Sequence, residues 1–131
     1  MDMTVCLFDS ETLQLQFSGA NNPLYLVSEG QLTQIKGDKM PVAIHDIMDP
    51  ISLHQLSLKR GDTFYTFSDG YEDQIGGPQR KKFLSKNFKT MLLSVQNLSM
   101  IEQGNRLDEV FTDYRLDVEQ IDDVVVIGVR A

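Results

Sequence analysis

The chain has 131 residues, 41% of them hydrophobic and 24% charged, with a formal net charge of −7. This length and balance describe one ordinary globular domain with a core of its own. The acidity argues against nucleic acid or an anionic membrane surface as the main partner.

Met3 to Phe8 predicts a strand, Asp9-Ser10-Glu11 a turn, and Thr12 to Phe17 a second strand. In the second, Leu13, Leu15 and Phe17 alternate with Gln14 and Gln16, the period of two that marks a half-buried strand, so the pair predicts an antiparallel hairpin. Ser18 to Pro23 is turn chemistry. Leu24 to Val27 and Gln31 to Lys36 predict a third and a fourth strand across Ser28-Glu29-Gly30, so that the chain begins as a β-meander. Gly37 to Pro50 is the longest irregular stretch, of the kind that is often functional. Ser52 to Leu58 alternates again and predicts a fifth strand.

The sixth strand lies in Gly61-Asp62-Thr63-Phe64-Tyr65-Thr66-Phe67-Ser68-Asp69-Gly70. Its aromatic residues point to both faces, which predicts cover on both sides. It ends on Asp69, and Gly70 lets the chain turn at once. After Gly76-Gly77-Pro78 the spacing becomes helical: Leu84, Phe88, Met91, Leu92 and Val95 share a face. Ser99-Met100-Ile101-Glu102 matches a capping box and starts a second helix, with Met100, Leu107, Phe111 and Tyr114 on one face and a stop near Arg115 to Asp117. Asp122-Asp123 then precedes a last strand, Val124 to Val129.

Six strands, two helices and a final strand are segregated, which predicts α+β. Several strands are apolar on both faces, yet only two helices exist to cover them. The chain is therefore expected either to dimerise or to lack further sheet on its N-terminal side. Cys6, the only cysteine, sits among apolar residues and reads as a buried strand thiol in a reduced, cytoplasmic setting. No apolar run approaches the ~18 residues of a spanning helix, and no signal peptide opens the chain, so no direct membrane insertion of this segment is expected.

The chemistry-bearing candidates are Asp69 and the pair Asp122-Asp123, each at a strand end. Each also reads as a plain solvated turn, and spacing alone does not bring them together. Convergence would need a cation to offset carboxylate repulsion; oxygen ligands alone select Mg²⁺ or Mn²⁺. Glu72 and Asp73 could add ligands. Asp69 to Asp73 is not an EF-hand loop, and Ser68 has no nucleophile elbow around it. His45 and His54 lack a second histidine at metal spacing and read as loop or strand surface residues. Gly76-Gly77 lacks the Lys-Ser/Thr of a phosphate loop. The cations from Arg80 to Lys89 read as a solvated helix face, with partner binding as the alternative.

At these residues the chain resembles the stage II sporulation protein E (SpoIIE) family of PPM-type serine/threonine phosphatases, bacterial relatives of protein phosphatase 2C. Gly61-Asp62, Tyr65 to Gly70 and the terminal Asp122 to Ile127 carry the resemblance, with Gly19 to Tyr25, Met40-Pro41-Val42 and Asp69 to Gly77 beside them. It covers about Asp2 to Val129. It implies part of an α-β-β-α sandwich, mainly antiparallel sheet with two helices between the last two strands. It implies a two-metal Mn²⁺ or Mg²⁺ centre between the sheets and direct hydrolysis of phosphoserine or phosphothreonine by water activated there. Asp69 is then a metal ligand, Asp122 the better match to the last ligand, Asp123 its neighbour and stand-in, and Gly70 the supporting turn.

The family's N-terminal acidic metal motif has no counterpart here, and Ala43 stands where the family usually has glycine. The resemblance therefore implies the C-terminal part of one such domain over 1–131, weak or inactive by itself. Its substrate is expected to be a phosphoprotein such as an anti-sigma-factor antagonist in bacterial signalling, and its location the cytoplasm, in a parent protein that could carry a membrane-bound sensor. The alternative is a non-catalytic interaction or self-association module with a degenerate phosphatase fold, a homodimer among its forms. A third reading is an unrelated α+β domain whose acidic turns are only turns.

Overall fold

The computed structural model describes residues 1–43 and 49–131, so His45 lies outside the described residues. In chain order the elements are β1 (Met3–Asp9), β2 (Gln14–Ala20), β3 (Leu24–Ser28), β4 (Gln31–Ile35), β5 (His54–Ser57), β6 (Thr63–Phe67), α1 (Gly70–Asp73), β7 (Ile75–Gly76), β8 (Lys81–Lys82), α2 (Ser85–Ser94), α3 (Met100–Arg115) and β9 (Val126–Arg130). The fold is mixed α+β with antiparallel pairing. The chain divides into two compact units: Met1–Thr66 with Ile127–Ala131, and Phe67–Val126.

In the first unit β1 and β2 form the predicted hairpin, from Met3 opposite Ala20 to Asp9 opposite Gln14. Its turn is held by the Asp9 carboxylate, which accepts from the Glu11 and Thr12 amides at 2.9 and 3.2 Å. The chain does not continue as a meander. β5 returns to β2, giving a sheet β1-β2-β5, while β3 lies between β4 and β6 in a second sheet, β4-β3-β6-β9. The alternation read from the sequence explains the split: Leu15 and Phe17 of β2 are fully buried and form one core with Leu24, Leu58 and Phe64. Both sheets contribute their apolar faces to it. Phe8 closes this core edge-on to Phe64, ring centroids 5.4 Å apart. Every residue of β6 is buried except the half-buried Thr66, in line with the prediction of cover on both faces. On β1 the other face is open: Met3, Val5 and Leu7 are 42, 53 and 66% exposed. Cys6 faces the core, half-buried, and burial pushes its thiol up from the ordinary value.

Asp38 organises the loops of this unit. Its amide donates to the Gly19 carbonyl and its carbonyl accepts from Asn21, both at 2.8 Å. Its carboxylate accepts from the Ser52 amide at 2.7 Å and the Ser52 hydroxyl at 2.9 Å. These bonds, the amide first, hold the Asp38 carboxyl below its ordinary 3.8. A carboxylate stabilised by folding contributes fully above its unfolded value, and the contribution disappears as pH falls through the lower folded value. Protection of the Ser52 amide, the slowing of its exchange relative to an unfolded chain at the same pH, is therefore expected to fall as pH drops below about 4, and Asp38→Asn to remove that pH dependence. Unchanged protection across this window would show that the carboxylate does not hold the loop.

The second unit is built around Tyr71. Its ring centroid lies 5.3, 4.8 and 5.1 Å from those of Phe83, Phe88 and Phe111, and Phe67 meets Phe88 at 5.0 Å. Its hydroxyl donates to the Leu107 carbonyl at 2.7 Å. Burial pushes this phenol far above its ordinary value, and the charge of Asp108 adds to the shift. The capping box forms as read: Ser99 Oγ accepts from the Glu102 amide at 3.2 Å and the Glu102 carboxylate accepts from the Ser99 amide at 2.8 Å. On α2, Phe88 and Leu92 are buried as predicted. Leu84 departs from that face: it precedes the helix at φ 73°, 54% exposed. The sequence reading also missed α1 and the β7–β8 hairpin, which are too short to show periodicity.

Candidate functional site

Asp69 follows the end of β6 and stands exposed at the N-cap of α1. Its carbonyl accepts from the Asp73 amide at 2.9 Å, but its carboxylate makes no capping bond. The side chain is thus not consumed by the turn that positions it.

The approach of the two acidic segments is made by Ser68. Its hydroxyl donates to the Asp123 carbonyl at 2.8 Å and accepts from the Val125 amide at 3.0 Å. Its own amide donates to the Val125 carbonyl at 3.0 Å. Gly70 brings α1 up against the same segment: a Cβ there would lie 2.3 Å from the Asp123 carbonyl oxygen. Asp122 and Asp123 are exposed, and one Asp122 carboxylate oxygen accepts from the Asp123 amide at 2.7 Å. Gln120 Nε2 donates to the Asp122 carbonyl at 2.8 Å and steadies the loop. The segments carrying Asp69 and Asp122-Asp123 are therefore neighbours, although 53 positions separate Asp69 from Asp122 (122 − 69). Among the described residues, no group of three or more His, Cys, Asp or Glu side chains is assembled closely enough to hold a metal ion.

The other candidates lie elsewhere or have other tasks. The Asp73 carboxylate pairs with Lys82 at 3.1 Å. Glu72 offers its backbone carbonyl to the Leu84 amide at 2.8 Å. His54 stands on β5 with its ring tilted against Phe17, centroids 5.6 Å apart. Ser68 is the residue that sequence reasoning missed. Its role joins backbone groups 55 and 57 positions away, and local sequence carries no signal for that.

The donors at the candidate site are carboxylate oxygens, exposed and anchored on two stitched backbone segments. By donor chemistry, though not yet by assembly, that set suits a hard divalent cation of the Mg²⁺ or Mn²⁺ type.

The family model for stage II sporulation protein E (SpoIIE) matches residues 1–131. Among solved structures, the SiaA-PP2C domain of Pseudomonas aeruginosa matches with 28% identity and a TM-score of 0.88, over 99% of this chain and 51% of that one. The PP2C phosphatase domain of the cell fate determinant SpoIIE from Bacillus subtilis, solved with a fragment of its regulatory domain, matches at 19% identity and TM-score 0.77, over 99% and 37%. The catalytic domain of the serine/threonine phosphatase PstP, an enzyme of Mycobacterium tuberculosis, was solved with two manganese ions; it matches at 22% identity and TM-score 0.63, over 97% and 57%. The chain thus spans about half, or less, of the first two. No curated protein matches it.

Proposed function

Because the chain belongs to the stage II sporulation protein E family, we propose that it is the C-terminal portion of a metal-dependent protein serine/threonine phosphatase that acts in bacterial signalling. Its substrate would be a phosphoprotein, an anti-sigma-factor antagonist being the candidate, and its location the cytoplasm. The observation that carries this reading is the Ser68 bridge, which joins the segment bearing Asp69 to the segment bearing Asp122 and Asp123.

In this reading Asp69, Asp122 and Asp123 hold Mn²⁺ or Mg²⁺. Such a cation, when bound, makes water more acidic and offsets charge on a phosphoryl oxygen. The chain's own contribution is position. Ser68 fixes the carbonyl of Asp123 and the amide of Val125, and Gly70 allows α1 to sit close enough for Asp69 to share the rim. Drawing the three carboxylates together would raise their mutual repulsion, which a bound cation would offset. With no three-carboxylate group assembled within the described residues, the chain by itself is proposed to bind metal weakly and to be a poor catalyst.

Titration calorimetry with Mn²⁺ tests the ligand assignment. Asp69→Asn is expected to lower the affinity by about tenfold or more, since replacing even a residue that supports a metal ligand costs this much. Unchanged Mn²⁺ binding in Asp69→Asn would return Asp69 to the status of a turn residue. Hydrolysis of a phosphothreonine peptide with Mn²⁺ should be far weaker for this chain than for one extended upstream in its natural reading frame.

A second reading has its own support in the open row Met3, Val5 and Leu7 on β1. It is a non-catalytic module that self-associates through this strand. Sedimentation of the chain over a range of concentrations separates the two, because a stable dimer without Mn²⁺-dependent hydrolysis would favour the second.

A further inference from the structure

From Gln74 to Ile101 the sequence holds no aspartate or glutamate, yet it carries Arg80, Lys81, Lys82, Lys86 and Lys89, five of the 12 lysines and arginines of a chain with net charge −7. Two of them, Lys81 and Lys82, line one cleft, and Lys86 lies in the first turn of α2, next in sequence to Asn87 of the cleft wall. Only Lys86 and Lys89 lie on α2; Lys81 and Lys82 form β8, and Arg80 is in the turn before it. The cleft encloses about 330 Å³, and its wall includes Lys81, Lys82, Leu84, Pro78, Asn87 and Tyr114. It is a mixed surface of apolar groups edged by ammonium groups.

Three further features give this surface a direction. First, Lys81 and Lys86 are exposed and make no ion pair among the described residues. Arg80 pairs with Asp117 at 2.9 Å and Lys82 with Asp73 at 3.1 Å, both with largely exposed side chains, and such pairs are readily exchanged for others. Second, Leu84 has φ 73° and ψ 149°, a region that is essentially glycine's. Glycine would suit the backbone better, yet the residue is leucine, more than half exposed in the cleft wall. Third, Arg80 also has a positive φ, of 49°. Strained backbone thus lies at both ends of the segment that presents Lys81 and Lys82, and strain of this kind concentrates at sites that bind something.

We propose that the cleft between the β7–β8 hairpin and the start of α2 docks an acidic segment of a partner protein, with one apolar side chain of that segment packed on Leu84. The carboxylates of the segment meet Lys81 and Lys86, and the apolar anchor covers the leucine that the fold leaves in water. Charge complementarity selects the partner, and the remainder of the chain, with 19 acidic residues against seven basic ones (12 − 5), repels other approaches of the same segment on balance. This surface is separate from Asp69, Asp122 and Asp123 and does not depend on the phosphatase reading.

The probe is a fluorescein-labelled peptide of glutamates and aspartates with one central leucine, titrated with the 131-residue chain by fluorescence anisotropy. Saturable binding is expected at low salt, weakening as ionic strength rises. The double variant K81Q/K86Q should weaken it roughly fivefold. Leu84→Gly should weaken it about tenfold while leaving the melting temperature unchanged or higher, because glycine relieves the backbone. That opposite movement of stability and affinity distinguishes a docking residue from a structural one. The proposal is overturned if the peptide does not bind, if K81Q/K86Q and Leu84→Gly bind it like the parent chain, or if a DNA oligonucleotide of equal charge competes as well as the unlabelled peptide.

Discussion

Tyr71→Ala is expected to destabilise the helical unit by about 4 kcal/mol, the range found when a buried aromatic is truncated and its cavity remains. Tyr71 is 2% exposed and touches Phe83, Phe88 and Phe111, which come from three different parts of the unit. Its hydroxyl also satisfies the Leu107 carbonyl in the middle of α3. Alanine would therefore leave a void and remove a second hydrogen bond from a carbonyl that α3 already engages, a further cost of about 1 kcal/mol. Single domains hold only about 5–15 kcal/mol in all, so the unit should lose much of its margin. Urea unfolding followed by tyrosine fluorescence and helical circular dichroism measures this. Tyr71→Phe separates the two contributions, because it keeps the ring and removes only the hydroxyl. Tyr71 directly follows Gly70, so loss of the ring also frees the turn that carries Asp69. A cost below about 1.5 kcal/mol for Tyr71→Ala, the lower end for a buried hydrophobe, would mean that the aromatic cluster is not what holds the unit together.

Gly70→Ala is expected to damage the site more than its size suggests. The added Cβ would lie 2.3 Å from the Asp123 carbonyl oxygen, 3.0 Å from the carbonyl carbon and 3.1 Å from a Val124 methyl. Two of these three neighbours are backbone atoms, which cannot rotate aside. Either α1 or the 122–124 segment must shift, at a cost of about 1–3 kcal/mol for overpacking. Displacing Asp69 from Asp122-Asp123 should weaken Mn²⁺ binding as much as Asp69→Asn does, although no ligand has been removed. Gly104→Ala supplies the contrast within the same unit. An added Cβ there meets nothing within 4 Å, so in the interior of α3 the substitution should stabilise by about 0.5–1 kcal/mol. If Gly70→Ala matched Gly104→Ala in stability and in Mn²⁺ binding, close approach of α1 to Asp123 would not matter to the site.

The parts of the fold that were legible in the sequence are those written locally. The alternation around Leu15 and Phe17 gave a strand with its buried face, and Ser99 with Glu102 gave the start of α3. Asp69, Asp122 and Asp123 were legible as candidates because carboxylates at strand ends have few neighbours to hide among. Their proximity was not, because it depends on the Ser68 hydroxyl reaching the backbone of Asp123 and Val125. The same bonds explain why the last strand begins later than the run Val124 to Val129 suggests. The Val125 amide is taken by Ser68 Oγ, and β9 starts at Val126. The return of β5 to β2 was hidden for a related reason: pairing partners are chosen by burial across the sheets rather than by order along the chain. Leu84 matched the helical spacing of Phe88 and Leu92, but periodicity cannot report a residue whose backbone has left the helix.

The Ser68 contacts also bear on chain topology. Residues near the two ends of the Phe67–Val126 stretch lie within hydrogen-bonding distance of each other, so the stretch behaves as a loop that is already closed at its neck. The entropy of closing a loop grows only with the logarithm of its length, about 0.6 kcal/mol for each doubling. Extra residues inserted at the exposed Pro78-Gln79 turn would therefore cost little, whereas loss of the Ser68 hydroxyl would remove two of the three bonds from Ser68 that close the neck. The interior of the stretch can therefore lengthen at little entropic cost while its two ends stay joined.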